Sequence, residues 1–399
     1  MSVVENSILI VGGGIGGLAA ALACVEKGAK PMLIERAAQF SEVGAGIQMG
    51  PNVTRTLFSW GLEKALQELV FVPQSLQVKD AVSGVALGTL PLGHRSTLKY
   101  GAPYVTVHRA DLHQVLLQKV QSSGATELRL NSEINFIREE SESLSADVRE
   151  LTSGALETIA TQSVVGADGL WSGVRNYVVG DTSPRVTGMS AYRALLPMQA
   201  LPEKLRTQNV TVWVGPRMHA VVYPVKGGDF LNLVVIVQGH PPESLADWDH
   251  AANKQDLMQC LGAVHSELKA LIEAVPAWRL WPLCDRPPLN GAHQMAKGRI
   301  ALVGDAAHPM RPFLAQGAGM AIEDAAALAH CWTQAEWPLE KRWQLYAQKR
   351  WARNARVQQR AIRNGHIFHM QGPMRWGRDL AMRLMGESLM DVPWLYAGP

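Results

Sequence analysis

Residues 7–23 read SILIVGGGIGGLAAALA, and this stretch decides the fold of the first part of the chain. Residues 7–11 are a continuous apolar run of the kind found in buried parallel strands. Glycines then follow in GxGxxG spacing, and residues 18–27 predict a helix that Gly28 ends. The segment therefore predicts a strand, a tight glycine turn and a helix, which together open an α/β domain.

The glycine turn has the composition that a phosphate ligand requires. Gly12 permits the tight turn, Gly14 lets the backbone approach a pyrophosphate, and Gly17 lets the helix pack closely on the strand. Ile15 and Gly16 complete the turn, and the N-terminus of the helix faces the anion. We therefore predict that these five residues contact a dinucleotide.

An acidic residue stands where a dinucleotide site needs one. Residues 31–34 predict a second strand, and Glu35 follows it, 18 residues after Gly17. A carboxylate at this distance accepts hydrogen bonds from ribose hydroxyls, and we include the neighbouring Arg36 in the predicted site. NAD and FAD share the adenosine diphosphate half that these residues contact, so this segment alone leaves both open.

Composition excludes several other classes of protein. The chain has 399 residues and a net charge of +3, which is too small to indicate nucleic-acid binding. Its four cysteines form no CxxC and its histidines show no ligand-like spacing, so we predict neither a disulfide framework nor a metal site. The N-terminus has no basic start, and no apolar run reaches about 18 residues. We expect a cytoplasmic protein without a membrane segment.

Two later motifs choose between the two dinucleotides. Residues 164–175 (VVGADGLWSGVR) predict a strand end, a tight turn at Asp168 and a helix start that Ser172 caps. Residues 299–303 (RIALV) predict another buried strand, which ends in residues 304–309 (GDAAHP). No second GxGxxG with a strand and a helix around it occurs, so a separate nicotinamide domain is not predicted.

In this order and spacing, the three motifs resemble the single-component FAD-dependent aromatic hydroxylases, the class A flavoprotein monooxygenases. The resemblance runs from residue 8 to residue 396. Residues 43–48 (VGAGIQ) and 108–112 (HRADL) look like the salicylate, 3-hydroxybenzoate and 6-hydroxynicotinate hydroxylases. The resemblance implies bound FAD, NAD(P)H as a transient co-substrate, O2, and a small aromatic substrate; a homodimer is an expectation from the resemblance only.

The resemblance also implies roles for particular residues. Asp305 would bind the ribityl chain of FAD near the pyrophosphate, and Arg109 the ribityl-phosphate region. Asp168 would belong to a turn that supports both FAD and NAD(P)H access, and Gln48 is counted with the cofactor residues. Small residues that include Gly317, Ala318 and Gly319 would leave space for the flat flavin, with a helix dipole aimed at its N1–C2=O edge. The alternative is a glycine-rich helix start that serves packing alone.

The predicted fold is a Rossmann-like FAD-binding domain interleaved with a β-sheet substrate domain, followed by a helical C-terminal region. β-Rich runs separated by Gly-Pro and Gly-Gly turns indicate a mostly antiparallel substrate sheet. We place the FAD-binding domain at residues 1–73, 101–180 and 277–330, the substrate domain at 74–100 and 181–276, and the C-terminal region at 331–399.

His219 and Tyr223 are the candidate substrate residues. They lie four positions apart in a predicted strand, so both side chains would point to the same face. In the hydroxylases that the chain resembles, a histidine and a tyrosine at this spacing line the substrate site. His219 is therefore the candidate base for a phenol, since an ordinary histidine titrates near neutral pH. The competing interpretation is a histidine satisfied inside the sheet.

Arg311 is the second candidate, because a guanidinium beside the flavin loop could hold an aromatic carboxylate. A salt bridge or plain exposure would explain it equally well. Some 3-hydroxybenzoate hydroxylases carry a glutamine where this chain has Pro312, which leaves the position of hydroxylation open. We interpret His308 as structural.

The resemblance implies the chemistry as well: NAD(P)H reduces FAD, O2 forms a C4a-hydroperoxide, and the deprotonated ring attacks its distal oxygen. A hydroxylase of the ubiquinone pathway, or of another bulky phenol, remains an alternative, with the Met-rich residues 369–390 as an association surface or as packing. A non-oxygenating FAD-binding protein is a further alternative. A flavin halogenase is disfavoured because no WxWxIP motif occurs.

Overall fold

The structure is a computed structural model, and it describes residues 6–40, 45–180, 183–239 and 250–399. Val43 and Gly44 of the VGAGIQ segment and the N-terminal residues 1–5 lie outside the described residues. The same holds for residues 181–182 and 240–249, which belong to the predicted substrate domain.

The strands of the described residues are numbered in chain order. They are β1 (Ser7–Val11), β2 (Lys30–Ile34), β3 (Gly46–Met49), β4 (Ser75–Asp80), β5 (Ala86–Pro91), β6 (Val105–His108), β7 (Glu127–Arg129), β8 (Ser132–Glu139), β9 (Leu144–Glu150), β10 (Leu156–Thr161), β11 (Ser163–Gly166), β12 (Arg185–Pro197), β13 (Val210–Gly215), β14 (Met218–Val225), β15 (Phe230–Gln238), β16 (His250–Ala252), β17 (Trp278–Asp285), β18 (Ala296–Lys297) and β19 (Ile300–Leu302).

The α-helices are numbered in the same way. They are α1 (Ile15–Val25), α2 (Pro51–Ser59), α3 (Glu63–Leu66), α4 (Gly93–Tyr100), α5 (Arg109–Ser123), α6 (Arg175–Val179), α7 (Lys254–Leu261), α8 (Ser266–Ala274), α9 (Gly317–Trp332), α10 (Leu339–Phe368), α11 (Gly372–Met390) and α12 (Pro393–Tyr396).

A six-stranded sheet forms the cofactor half of the molecule, with strand order β18-β19-β11-β1-β2-β7. Neighbouring strands are parallel except for the edge strand β18, which is antiparallel to β19. The central strands are buried, as their continuous apolar sequences predict. The glycine turn after β1, the Asp-Gly turn after β11 and the GDAAHP segment after β19 therefore meet at the carboxyl edge of this sheet.

An eight-stranded sheet forms the other half, in the order β16-β17-β12-β15-β14-β13-β4-β5. Its strands are antiparallel neighbours except for the parallel pair β4 and β13. The sheet contains the predicted insertion at residues 74–100 and, through β17, runs past the predicted boundary at residue 276. β17 belongs to this sheet because it pairs antiparallel with β12.

Two smaller β units and the C-terminal helices complete the fold. β8, β9 and β10 form a three-stranded sheet, and the antiparallel pair β3–β6 joins the two large sheets. One face of the eight-stranded sheet packs its apolar residues against α7 and α8. The other face contacts the β3–β6 pair and the helices α9 to α11, and this is the face that carries the candidate substrate residues.

Candidate active site

The glycine turn after β1 has the backbone geometry that its sequence predicts. Gly12 has a φ of +107°, and a Cβ there would lie 2.5 Å from the carbonyl oxygen of Ala167. A Cβ on Gly17 would lie 1.9 Å from the carbonyl oxygen of Gly12. Helix α1 then begins behind Gly14 with no side-chain cap and no acidic residue in its first turn. Its first N–H groups are therefore suited to an anionic ligand.

Glu35 lies beside this turn, as predicted. Its carboxylate accepts hydrogen bonds from the backbone N–H of Gly13 at 2.7 Å and of Ala37 at 2.8 Å. His113 of α5 supports the turn from another side by donating from Nε2 to the carbonyl oxygen of Gly13 at 2.8 Å. Arg36 is exposed. Glu35 thus ties the end of β2 to the glycine turn and keeps lone pairs for further donors.

The Asp-Gly turn is built around Asp168. Its carboxylate accepts hydrogen bonds from Ser172 Oγ at 2.5 Å and from the backbone N–H of Gly173 and Val174 at 2.8 and 3.1 Å. Desolvation raises the pKa of the Asp168 carboxyl, while these hydrogen bonds act in the opposite direction. Ser172 Oγ accepts from the N–H of Arg175, the first residue of α6, at 2.9 Å, but Val174 holds the N-cap position, so the predicted cap by Ser172 is wrong in its position.

Arg175 connects the second motif to the third. Its buried guanidinium donates to the carbonyl oxygens of Ala306 and Ala307 at 3.0 and 2.7 Å. Burial and the neighbouring charge of Arg286 lower the pKa of Arg175 to about 10. Arg175 is the last residue of the second motif, and the sequence alone indicated no role for it. The contact with Ala306 joins residues 131 positions apart, so no local pattern predicts it.

The GDAAHP segment begins with a short 3-10 helix, Gly304–Ala306, that leaves the Asp305 side chain exposed. Behind it, Asp324 of α9 accepts from the backbone N–H of Gly304 at 3.1 Å and from His308 Nε2 at 2.5 Å. His308 is fully buried, and its contact agrees with the structural interpretation. Asp324 therefore holds both ends of the segment that carries Asp305.

A buried charged network, which we call the α9–α10 network, surrounds Asp324. Arg350 donates to Asp324 at 2.7 Å and to Glu323 at 2.8 Å, and Arg353 donates to Glu323 at 2.7 Å. Burial opposes ionisation of the two carboxyls, but these partners and His308 more than offset it, so both pKa values lie below their usual range. Both carboxylates are therefore charged at neutral pH and are matched by arginines.

Helix α9 begins where the resemblance implies a flavin. No side chain caps its N-terminus, its first turn has no acidic residue, and Ala315 before it has a φ of +52°. A Cβ added at Gly319 would lie 2.6 Å from Val53 Cγ2, so packing against α2 requires that glycine. A Cβ at Gly317 would meet no atom within 4 Å. Packing thus explains Gly319 alone, while Gly317 and the half-buried Ala318 border open space.

The β3–β6 pair connects the cofactor half to the substrate sheet. The Gly46 N–H donates to Asn232 Oδ1 at 2.7 Å, and the Gly46 carbonyl accepts from the Tyr223 hydroxyl at 2.6 Å. Gln48 Oε1 accepts from the Tyr104 hydroxyl at 2.7 Å, and Arg109 donates its N–H to the Ala45 carbonyl at 3.2 Å. The predicted residues Gln48 and Arg109 are therefore held next to the strand that carries Tyr223.

His219 and Tyr223 both lie on β14 and are buried. Val221, which lies between them and shares their face, is the one residue of β14 that is half-buried. It is paired with the half-buried Val234 of β15, and Val234 is paired with Arg193 of β12. We call these three residues the substrate row; its two valines are half-buried and Arg193 is buried.

Arg193 is the candidate that the sequence analysis missed. Its guanidinium carbon lies 4.0 Å from the ring centre of Trp281, and its charge acts to lower the pKa of Tyr223, although burial raises that pKa overall. An arginine in an apolar strand was the available signal. Its place in the substrate row depends on the pairing of β12 with β15, which the sequence does not fix.

His219 has a second histidine as its partner. His219 Nδ1 and His369 Nε2 share a hydrogen bond of 2.8 Å across 150 positions of the chain. The ring of His219 also meets those of Phe313 and Phe368, with ring centres 4.9 and 5.3 Å apart. Burial, together with His369, holds the pKa of His219 well below its usual value. His219 is therefore neutral at pH 7, as a base must be.

Arg311 forms a salt bridge rather than standing alone. Its Nε donates to Asp285 Oδ2 at 2.7 Å, and Arg185 also pairs with Asp285, at 2.9 Å. Asp285 is almost fully buried, and Pro312 beside Arg311 is exposed. Any substrate carboxylate would have to compete with Asp285, so binding of a carboxylate by Arg311 stays a prediction.

In the part of the chain that the structure describes, no cluster of three or more His, Cys, Asp or Glu side chains could hold a metal ion. None of the helices described there combines the length and apolar character that crossing a bilayer requires.

Comparisons with known proteins agree with the resemblance to FAD-dependent aromatic hydroxylases. A family model described as an FAD binding domain matches residues 5–361. The chain is 36% identical to a 3-hydroxybenzoate 6-hydroxylase of Polaromonas naphthalenivorans (strain CJ2), over 98% of this chain and 95% of that one. It is 35% identical to a 6-hydroxynicotinate 3-monooxygenase of Bordetella bronchiseptica, over 82% of each.

A solved structure shows the same fold. Klebsiella pneumoniae HpxO, crystallised with FAD and uric acid, matches with a TM-score of 0.84 at 22% identity, covering 98% of this chain and 97% of that one. The uncapped N-termini of α1 and α9 and the glycine turn are suited to an anionic cofactor. With three linked motifs and these relatives, the chain belongs to the family of FAD-dependent aromatic monooxygenases.

Proposed function

We propose that this enzyme uses NAD(P)H and O2 to hydroxylate a small phenolic or N-heteroaromatic ring that carries a carboxylate. The relatives named for 3-hydroxybenzoate and 6-hydroxynicotinate act on rings of this kind. The observation that carries the proposal is the substrate row, where a guanidinium stands beside two half-buried valines on the face that also bears His219 and Tyr223.

The cofactor residues fit FAD as a bound group. The glycine turn with Glu35 would hold the adenosine diphosphate half, and Asp305 and the start of α9 the flavin half. FAD supplies the transfer of electrons from NAD(P)H to O2. The chain itself would position the group: Asp324 and Arg175 hold the GDAAHP segment, and the β3–β6 pair sets its distance from the substrate sheet.

The substrate residues divide orientation and proton transfer between them. Arg193 supplies a positive charge for the ring carboxylate, because a guanidinium matches a carboxylate in shape and charge. His219 accepts the proton of the ring hydroxyl at Nε2, since Nδ1 is bound to His369. The apolar rings around His219 keep water away from the deprotonated ring, which protects the reaction from wasteful loss of peroxide.

A substrate panel tests the proposal. The FAD-loaded protein is assayed for NADH and NADPH oxidation with 3-hydroxybenzoate, salicylate, 6-hydroxynicotinate and matched phenols that lack the carboxylate, with H2O2 and product mass measured in parallel. We expect one carboxylated ring to stimulate oxidation and to gain one oxygen atom. Equal stimulation by the ring without its carboxylate, or H2O2 as the sole product throughout, contradicts the proposal.

A further inference from the structure

The hydrogen bond between His219 and His369 does more than satisfy a buried polar atom. His369 follows the last residue of α10 and is 8% exposed, whereas His219 is 1% exposed. The pair therefore runs from the interior of the substrate sheet toward the surface. We propose that His369 is a relay that carries the proton of the substrate hydroxyl from His219 to solvent.

Each step of this relay balances in protons. The substrate O–H bond breaks and its proton binds His219 Nε2, while the Nδ1 proton of His219 moves along the 2.8 Å hydrogen bond to His369 Nε2. His369 then releases its Nδ1 proton to water, so each ring ends neutral and in its other tautomer. The reverse transfer restores the starting tautomers: the phenolate oxygen of the product takes the Nε2 proton of His219, the Nε2 proton of His369 returns to His219 Nδ1, and water supplies a proton to His369 Nδ1.

The surroundings favour neutral rings over a stored imidazolium. Burial lowers the pKa of His369 to about 4, and the positive charges of Arg378, His366 and Arg311 add to the effect. Burial lowers the pKa of His219 as well. A cation on either ring is therefore unfavourable, so concerted transfer through both rings is the available route for the proton.

Pairing for stability alone predicts different behaviour from a relay. A structural partner needs one nitrogen, which holds the Nδ1 of His219 and fixes its tautomer. A relay needs two nitrogens on one ring, one to accept and one to release. His369→Ala should therefore leave a space in which free imidazole restores activity, and 1-methylimidazole, with a single exchangeable nitrogen, should restore much less.

The experiment uses the FAD-loaded full chain and the aromatic substrate found with the unaltered enzyme. We expect His369→Ala to lower kcat for product formation by roughly tenfold to a hundredfold, with little change in KM or FAD content. Imidazole should recover most of this loss and should not affect the unaltered enzyme. His330→Ala, an exposed histidine on α9, is the matched control and should behave like the unaltered enzyme.

The relay rests on the proposed function, and the experiment distinguishes a failure of the relay from a failure of the proposed function. If the unaltered enzyme hydroxylates no aromatic ring, the proposed function fails and the relay with it. If it hydroxylates a ring and His369→Ala keeps full kcat, the relay is wrong. Equal rescue by imidazole and 1-methylimidazole also overturns the relay. It would show that one nitrogen is enough at this position, whereas a relay needs one nitrogen to accept a proton and another to release one.

A second variant covers the case in which His369→Ala folds poorly. His369→Gln keeps a hydrogen-bonding group beside His219 Nδ1 but cannot pass a proton onward. We expect it to bind FAD and substrate normally and still to lose kcat, without rescue because no space is left for imidazole. Full kcat in this variant would overturn the proposal.

Discussion

The cofactor half and the substrate sheet keep their buried titratable groups in opposite charge states. On the cofactor side, the α9–α10 network keeps Glu323 and Asp324 charged beside Arg350 and Arg353. On the substrate side, His219 and His369 are kept neutral among aromatic rings. The difference indicates two separate tasks. The fixed charges hold the GDAAHP segment in place, while the neutral imidazole rings are able to exchange protons.

Removing a charge from the cofactor side should have the largest effect. Arg350→Met leaves Asp324 and Glu323 buried with fewer partners, so we expect a loss of about 3–5 kcal/mol in the free energy of unfolding and a loss of bound FAD. Urea unfolding and flavin absorbance measure the two. Arg356→Met is the control, since Arg356 is exposed and its guanidinium carbon lies 3.9 Å from the centre of the Trp394 ring. Equal losses in both variants would show that the α9–α10 network has no special part in stability or FAD binding.

On the substrate side, a change should affect chemistry rather than stability. We expect His219→Gln to lower the rate of product formation by roughly a hundredfold or more and to divert NAD(P)H oxidation to H2O2, while FAD content stays unchanged. Product and H2O2 per NAD(P)H are the measurements, with His330→Gln as the control. An unchanged product yield in His219→Gln would show that His219 is not the base.

The two arginines on the substrate side differ in their positions. Arg193 lies in the substrate row, whereas Arg311 is bound to Asp285. We therefore expect Arg193→Gln to raise KM for a carboxylated ring by roughly tenfold to a hundredfold, as expected for a lost charged hydrogen bond. Arg311→Gln should raise it less. The reverse order would restore Arg311 as the carboxylate site.

The contrast also predicts two separate pH windows for stability. The pKa of His369 is about 4 in the folded protein against an unfolded value of 6.5, and that of His219 is lowered too. The unfolded chain thus binds more protons in this window, and the free energy of unfolding should fall by about 1.4 kcal/mol per pH unit per histidine as pH decreases from 6.5 toward 4.

The carboxylates respond only at lower pH. Because the pKa values of Glu323 and Asp324 are lowered on folding, their contribution is complete above the unfolded values of 4.5 and 3.8 and is lost below them. Urea unfolding as a function of pH measures both windows. His369→Phe removes one of the two histidines and should therefore flatten the slope between pH 6.5 and 4. A slope that is unchanged in His369→Phe contradicts this assignment.

We expect the smallest effect on stability and product yield at the contact between the substrate sheet and β3. Tyr223→Phe removes the hydrogen bond to the Gly46 carbonyl, which should cost about 1 kcal/mol in the free energy of unfolding. Because Gly46 belongs to the strand that joins the halves, we also expect a small drop in product yield per NAD(P)H. Val225→Ala is the comparison variant, because Val225 lies on the same face of β14. A larger drop in product yield per NAD(P)H in Val225→Ala than in Tyr223→Phe would show that the loss comes from packing rather than from the hydrogen bond.

The cofactor turns could be predicted from the sequence because each depends on neighbouring residues. Gly12 adopts a φ of +107°, Gly17 lies against the carbonyl oxygen of Gly12, and Ser172 Oγ accepts from the N–H of a residue three positions later. The eight-stranded sheet was predicted in outline from its β-rich runs. Its extension through β17 was not, because the pairing with β12 joins segments about 90 residues apart.

The missed residues share one property. Arg175, Arg193 and His369 act through partners that lie far away in the chain or through strand pairing. Nothing within a few residues of His369 indicates that its ring meets His219. Local spacing could therefore nominate His219 and Tyr223, whereas the positions of Arg193 and His369 beside them depend on the fold.

The measurement that tests the central claim most directly uses 18O2. The FAD-loaded enzyme is supplied with NAD(P)H, the carboxylated ring selected from the panel, and 18O2, and the product mass and H2O2 are measured for the unaltered chain and for His219→Gln. We predict that the unaltered enzyme places one 18O atom in the ring and that His219→Gln makes mainly labelled H2O2 with its FAD intact. A product without 18O, or the same labelled yield from both proteins, would contradict the account.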